Sequence, residues 1–184
     1  MTIKEKLFNI LNRNQTMIIA IDGPSGSGKT TLVNEISKQF NVTIIHMDDY
    51  FLPEEKKTVK RLSKPGGNID IERLQDEVFK RLESDKIYSH HFNCKTQTLQ
   101  TRPALVKKTV VIIEGVYAHH PKLVSYYDLK VVCYVSRETQ LKRLKQRSQP
   151  HIYERFINEW IPLEDAYFEA FNIIDEADII IENE

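Results

Sequence analysis

Cysteine is nearly absent from this 184-residue chain. The two present, Cys94 and Cys133, lie too far apart for the C-x-x-C spacing of a zinc or redox site, and the expected compartment is the reducing cytoplasm. Neither sign of charge is in excess: 26 Lys and Arg balance 26 Asp and Glu. That balance argues against a surface that holds nucleic acid by neutralising many phosphates, and a nucleotide-sized ligand suits it better. No apolar run approaches the roughly 20 residues of a membrane span. The opening Met1-Thr2-Ile3-Lys4-Glu5-Lys6 lacks the apolar core of a signal peptide, so neither export nor membrane anchoring is expected. Internal repeats, heptads and low-complexity tracts are also missing. The length fits one domain over residues 1–184 with a sizeable core, and a homo-oligomer is compatible with it.

What is present is concentrated near the start. The apolar run Met17 to Ile21, read as a buried strand, passes into Gly23-Pro24-Ser25-Gly26-Ser27-Gly28-Lys29-Thr30, and Thr31 to Phe40 follows with a helical pattern. Glycines at 23, 26 and 28 permit backbone angles closed to other residues, so successive N–H groups can turn inward on phosphate oxygens at a helix N-terminus. In a G-x-x-x-x-G-K-T loop the lysine, here Lys29, reaches the β- and γ-phosphates and the hydroxyl of Thr30 binds magnesium. The candidate ATP-binding segment therefore runs from Gly23 through Thr31.

The rest of the chain alternates strands with helices. Ile3, Leu7, Ile10 and Leu11 predict an amphipathic helix over about 2–12, ending near Asn12-Arg13-Asn14. The β-branched run Val42 to Met47 predicts a second strand, followed by Asp48-Asp49-Tyr50-Phe51. Parallel sheets bind ligands outside the carboxyl ends of their strands, so this tetrad should lie beside the phosphate loop, where a carboxylate suits catalysis. If the strand runs through residue 48, alternation sends Asp48 and Asp49 to opposite sides and only one faces the loop.

Residues 53–68 read as an exposed flap with at most one helical turn. Asp70 stands where an N-cap would, ahead of Ile71, Leu74, Val78, Phe79 and Leu82 at helical spacing. The polar stretch Lys86 to Pro103 suggests a short hairpin beside the pocket. Its His90-His91 pair has no third ligand at a recognisable metal spacing and reads as surface or substrate-facing imidazoles. Thr109 to Ile113 is a buried strand ending at Glu114-Gly115, whose carboxylate could hold magnesium or pair with Lys29. Leu129 to Val135 is another strand, with Cys133 as a small core residue. Ser136 then caps a basic helix that projects Arg143 and Arg147 from one face, toward phosphates or toward solvent. Leu163 to Ile174 reads as a helix with Tyr167, Phe168 and Phe171 in the core and Trp160 packed nearby, and Ala177 to Ile181 as a final strand. The pattern predicts a three-layered α/β fold with a parallel, five-stranded sheet.

Four separated segments now coincide in order: the phosphate loop, His46-Met47-Asp48-Asp49-Tyr50-Phe51, Ile113-Glu114-Gly115-Val116-Tyr117, and Leu141-Lys142-Arg143-Leu144-Lys145-Gln146-Arg147. Together they resemble the uridine kinase and phosphoribulokinase family of P-loop kinases over nearly all of residues 15–182. The resemblance implies ATP-dependent phosphorylation of a small-molecule hydroxyl with magnesium held near Thr30 and Glu114. It implies Asp48 as catalytic base with Asp49 auxiliary, Glu114 near magnesium and acceptor, and Arg143 and Arg147 in a lid over about 137–150 that covers the phosphates. Tyr50, His91 and Phe92 are then candidates for the acceptor wall. The family's Asn-Phe-Asp-His-Pro stretch is here reduced to Gly67-Asn68-Ile69-Asp70, and its Tyr-Asp pair in the hairpin to Phe92-Asn93. The acceptor thus stays open among a nucleoside (uridine or cytidine), nicotinamide riboside, pantothenate and a sugar. A nucleotide-binding regulator that is not a kinase is the alternative from another class.

Overall fold

The computed structural model describes residues 1–13, 15–93 and 96–184. Helix α1 (Ile3–Leu11) opens with a capping box in which Thr2 N–H donates to Glu5 Oε2 at 2.6 Å and Glu5 N–H to Thr2 Oγ1 at 3.1 Å. It buries Leu7 and Leu11 and ends with Asn12 as its C-cap, at the start of the expected Asn12-Arg13-Asn14, of which Asn14 lies outside the described residues. Strand β1 (Met17–Asp22) leads through the glycine loop into α2 (Lys29–Gln39). This helix starts two residues before the expected Thr31, because Gly28 caps it in the left-handed region at φ +92°.

Strand β2 (Val42–His46) stops one residue short of Met47, and Met47–Tyr50 is a 3-10 turn. The premise that residues 48 and 49 alternate along a strand is therefore wrong. Met47 instead turns inward, fully buried, and a Cβ on Gly115 would lie 2.6 Å from its own Cβ. A single helical turn, α3 (Val59–Leu62), interrupts the flap, and α4 (Ile71–Glu77) begins where Asp70 Oδ1 accepts from Arg73 N–H at 3.3 Å. The expected helix to Leu82 breaks at Val78 and resumes only as a 3-10 turn, Phe79–Arg81.

Two small antiparallel pairs follow: β3 (Lys86–Ile87) with β6 (Leu105–Val106), and the anticipated hairpin of β4 (His90–Asn93) with β5 (Thr98–Thr101). The Cys94-Lys95 part of that segment lies outside the described residues. The chain then continues through β7 (Val110–Glu114), β8 (Leu129–Tyr134), α5 (Arg137–Arg147), α6 (Pro150–Arg155), a π-helical turn at Phe156–Trp160, α7 (Ile161–Ala170) and β9 (Ile179–Glu182).

Five strands form one parallel sheet in the order β2-β7-β1-β8-β9, the predicted class. Alternation along each strand feeds two cores. Ile19, Ile21, Val110, Ile112, Val131 and Cys133 face α1 and α2, whereas Ala20, Val111, Ile113 and Val132 face α4 and Tyr167 of α7. Cys133 is fully buried, and burial pushes its thiol up to about 12, so it packs as a small apolar residue. Trp160 is not in either core. It is half-buried, with Phe156 edge-on at 4.6 Å and the Arg155 guanidinium 4.6 Å over its ring. Register places Ile21, Glu114 and His46 level with one another, so the carboxyl ends of β1, β7 and β2 open onto one edge. Among the described residues no helix is long and apolar enough to cross a membrane.

Candidate functional site

The loop after β1 is pinned at its first residue. Asp22, fully buried, accepts from Gly23 N–H at 2.6 Å, His119 N–H at 2.8 Å and Tyr167 Oη–H at 2.8 Å. Three donors satisfy a carboxylate that burial would otherwise penalise. Gly23 cannot be replaced cheaply: its φ is +145°, and a Cβ there would stand 2.2 Å from the carbonyl oxygen of Cys133. The outer side of the loop is held through its carbonyls. Gln140 Nε2 donates to Ser25 O at 2.8 Å, Arg143 Nη1 to Gly26 O at 3.2 Å and Asn183 Nδ2 to Ser27 O at 2.8 Å. With the carbonyls engaged outward, the backbone N–H groups at the start of α2 are left to face a ligand.

A cavity of about 520 Å³ lies over this loop. Its wall includes Ser25, Gly26, Gly28, Lys29, Thr30 and Thr31 from the loop and helix, Asp48 from the turn after β2, Glu114 with Gly115 and Val116 from the end of β7, and Arg143 and Arg147 from α5. Four segments far apart in sequence thus converge. Lys29 is almost buried and donates to Gly23 O at 2.7 Å and Pro24 O at 3.1 Å. It makes no ion pair with Glu114 among the described residues. Glu114 instead accepts from His46 Nδ1 at 2.8 Å and from Thr30 Oγ1 at 3.1 Å. Burial opposes its ionisation, but the His46 hydrogen bond and charge, Lys29 and the Thr30 hydroxyl outweigh burial and hold its pKa below the usual carboxylate range. His46 is raised correspondingly, chiefly by the same hydrogen bond. An ionised carboxylate beside a hydroxyl is an oxygen donor set that fits a magnesium ion.

Asp48 and Asp49 have separate surroundings. The Asp48 side chain opens onto the cavity, yet the protein packed around it raises its pKa; Lys29 opposes this, and Glu114 adds to it. Asp49 is buried and saturated: Oδ1 accepts from His91 Nδ1 at 2.5 Å, Oδ2 pairs with Arg102, and its carbonyl accepts from Arg73.

The sequence-derived acceptor wall is corrected here. Tyr50 and Phe92 do not line the cavity. Tyr50 is fully buried under the Arg73 guanidinium, 4.3 Å from its ring, and Phe92 is on the inward face of β4. His91 is half-exposed on the hairpin but is directed at Asp49. Gly23, Pro24 and Ser27 shape the loop from beneath without forming the wall. Sequence reasoning also missed His46, Gln140, Glu164 and Asn183. Gln140 precedes Arg143 by three positions on one helix face, a signal that was available. Glu164 and Asn183 have none, since their partners lie 139 and 156 residues away.

Compared with known proteins, residues 19–159 match the family model described as AAA domain. A uridine kinase of Staphylococcus haemolyticus (strain JCSC1435) is 27% identical over 187 residues, covering 90% of this chain and 87% of that protein. One from Staphylococcus aureus (strain JH9) is 27% identical over 188 residues with the same coverage. Among solved structures, that of a possible uridine kinase from Bacillus stearothermophilus superposes with a TM-score of 0.70 at 23% identity, covering 98% of this chain and 100% of the other. A putative fructose transport system kinase from Silicibacter sp. TM1040 also gives 0.70, at 18% identity and full coverage of both chains. These structural likenesses concern the fold.

Proposed function

Because the chain belongs to the AAA-domain family and is uridine kinase-like along 90% of its length, we propose that it is a kinase of one domain, residues 1–184, that transfers the γ-phosphoryl group of ATP to a hydroxyl of a small molecule. A nucleoside such as uridine or cytidine is the acceptor we favour. The observation that carries this reading is the convergence of Lys29, Thr30, Asp48, Glu114, Arg143 and Arg147 on one cavity above the glycine loop.

Phosphoryl transfer passes through a loose transition state that needs positioning and neutralised charge more than covalent chemistry. The loop N–H groups and Lys29 would bind the phosphates. Arg143 and Arg147, on the lid face of α5, would approach the transferred group from the other side. Thr30 and Glu114 would hold magnesium, which would supply further positive charge to the phosphates when bound. Asp48 would orient the acceptor hydroxyl and take its proton; its raised pKa suits a group that must first accept a proton and then release it. Asp49, with both oxygens occupied, would hold the turn and the hairpin in place. The corresponding setting is the cytoplasm, with no nucleic acid or membrane partner.

A second reading, a different small acceptor such as nicotinamide riboside, pantothenate or a sugar, draws on Asp70. This residue stands at the reduced family stretch, and it is fully buried, bonded by Lys56 Nζ at 2.8 Å and by the backbone of its own helix. It is therefore spent on structure. The test is ADP release with magnesium and a panel of acceptors. Release that depends on a nucleoside supports the first reading, and release that depends only on another panel member supports the second. Release independent of any acceptor, or none at all, favours a nucleotide-binding regulator.

A further inference from the structure

In the loop, Ser25 has its amide N–H, side-chain hydroxyl and carbonyl all held by helices that follow β8. Glu164, on α7, accepts from Ser25 N–H through Oε2 at 2.9 Å and from Ser25 Oγ–H through Oε1 at 2.5 Å. Gln140, on α5, donates to Ser25 O at 2.8 Å. The two helices are themselves tied: Arg137 of α5 pairs with both oxygens of Asp165 at 2.6 and 2.7 Å and donates to Gln140 Oε1 at 2.7 Å. Ser25 lines the cavity, whereas Glu164 is only 4% exposed and does not. The carboxylate therefore reaches the loop from behind.

A carboxylate in such a place is costly. Burial is the largest influence on Glu164 and raises its pKa, against the two Ser25 hydrogen bonds and Lys29. An apolar side chain on this face of α7 would pack without that cost, so fold stability gives little reason for a carboxylate here. Its two oxygens match the two donors of a single serine, a bidentate geometry that fixes the Pro24–Ser25 peptide plane and the Ser25 hydroxyl, while Gln140 holds the carbonyl of the next peptide. The helix bearing it follows directly on the π-helical turn Phe156–Trp160, a form of irregularity that is frequent at functional sites.

We propose that Glu164 is a positioning residue for the phosphate loop, acting through Ser25: it sets the direction of the Ser25 donors and ties the shape of the cradle to helices α5 and α7. This rests on the reading of the cavity as the triphosphate site. Without Glu164 the Ser25 N–H and hydroxyl lose their fixed partner while Gln140 still holds the carbonyl, and the loss falls on ATP binding more than on acceptor binding.

The experiment measures Mg·ATP affinity by calorimetry, together with kcat and both KM values, for the wild-type protein and for Glu164→Ala, Glu164→Asp, Glu164→Gln, Ser25→Ala and the Ala/Ala double variant. Thermal denaturation checks each fold. Glu164→Ala should weaken ATP binding and raise its KM by about tenfold or more, as expected for losing hydrogen bonds to a charged acceptor, with a smaller change in kcat and an unchanged acceptor KM. Glutamine can accept from Ser25 N–H through Oε1 and donate to Oγ through Nε2, so Glu164→Gln should stay within about threefold of wild type. Ser25→Ala should cost little once residue 164 is alanine, the signature of two groups acting as one unit. If Glu164→Ala does not fold, Glu164→Asp, which keeps the charge but draws the oxygens back from Ser25, carries the same expectation of a raised ATP KM. A wild-type protein that binds no ATP overturns the underlying reading and the proposal with it. A wild-type protein that binds ATP, with folded Glu164→Ala and Glu164→Asp equal to it or with additive Ser25 and Glu164 effects, overturns the positioning role alone.

Discussion

Replacing either carboxylate of the Asp48-Asp49 pair by asparagine should produce opposite outcomes in activity and stability. The Asp48 pKa is raised in the folded chain, first by the protein around it. A carboxyl that binds its proton more readily in the folded state than in the unfolded one makes the ionised form unfavourable at neutral pH, and the fold loses stability as pH rises above the ordinary carboxylate range. Asp48→Asn removes that burden, so the melting temperature should hold or rise. Turnover should fall by about 100-fold or more, because the amide cannot take the acceptor's proton. Asp49 is the reverse case. Its buried carboxylate satisfies Arg102 and His91, and Asp49→Asn leaves the Arg102 charge without its partner. Breaking such a pair while keeping a hydrogen-bonding amide should cost about 2–3 kcal/mol. At this chain length that lowers the melting temperature by about 5–10 °C. The assay is kcat with a working acceptor beside thermal denaturation near neutral pH. A larger catalytic loss at Asp49 than at Asp48, or destabilisation by Asp48→Asn, would refute the assignment.

Lys29→Ala should abolish turnover while the protein stays folded, since the developing charge loses a fixed cation in a water-poor site; undiminished turnover in the folded variant would contradict this. Arg143→Ala and Arg147→Ala should each lower kcat by roughly 10- to 1,000-fold, measured at saturating ATP; normal rates in both would mean that the pair is merely solvated. His120 has its pKa lowered to about 4, by burial and then by Lys122. The folded chain therefore carries fewer protons on it than the unfolded chain between about pH 6.5 and 4, and stability falls as pH drops through that window. A shift of that size corresponds to about 3 kcal/mol, which solvent access to the ring reduces to about 1–2. Melting curves of His120→Gln should show a correspondingly shallower acid loss, and an identical pH dependence would refute the role.

The sheet was legible in the sequence because apolar runs bounded by turn residues admit few alternatives: Met17 to Ile21 and the β-branched run ending at Ile113 could hardly be anything but buried strands. The loop was legible because its glycines, Lys29 and Thr30 are spaced along contiguous sequence. What could not be read depended on contacts across the fold. Strand β2 ends before Met47 because that side chain fits against Gly115, 68 positions away along the chain. Tyr50 follows the two aspartates as an acceptor wall would, but the Arg73 guanidinium covers its ring, a contact across 23 positions that no local pattern carries. Glu164 is, in sequence, one charge on a helix, and its two hydrogen bonds to Ser25 leave no trace in local pattern. Periodicity reports which face of an element is buried; it does not report which buried polar group meets which.

The most direct test of the central claim is transfer of label from γ-labelled ATP to an acceptor hydroxyl, in the presence of magnesium, by the wild-type chain and by Lys29→Ala. A labelled phosphorylated nucleoside, formed by the wild-type chain and absent with Lys29→Ala, is the predicted result. Label that appears only as free phosphate regardless of acceptor, or a labelled product formed equally by both proteins, would contradict it.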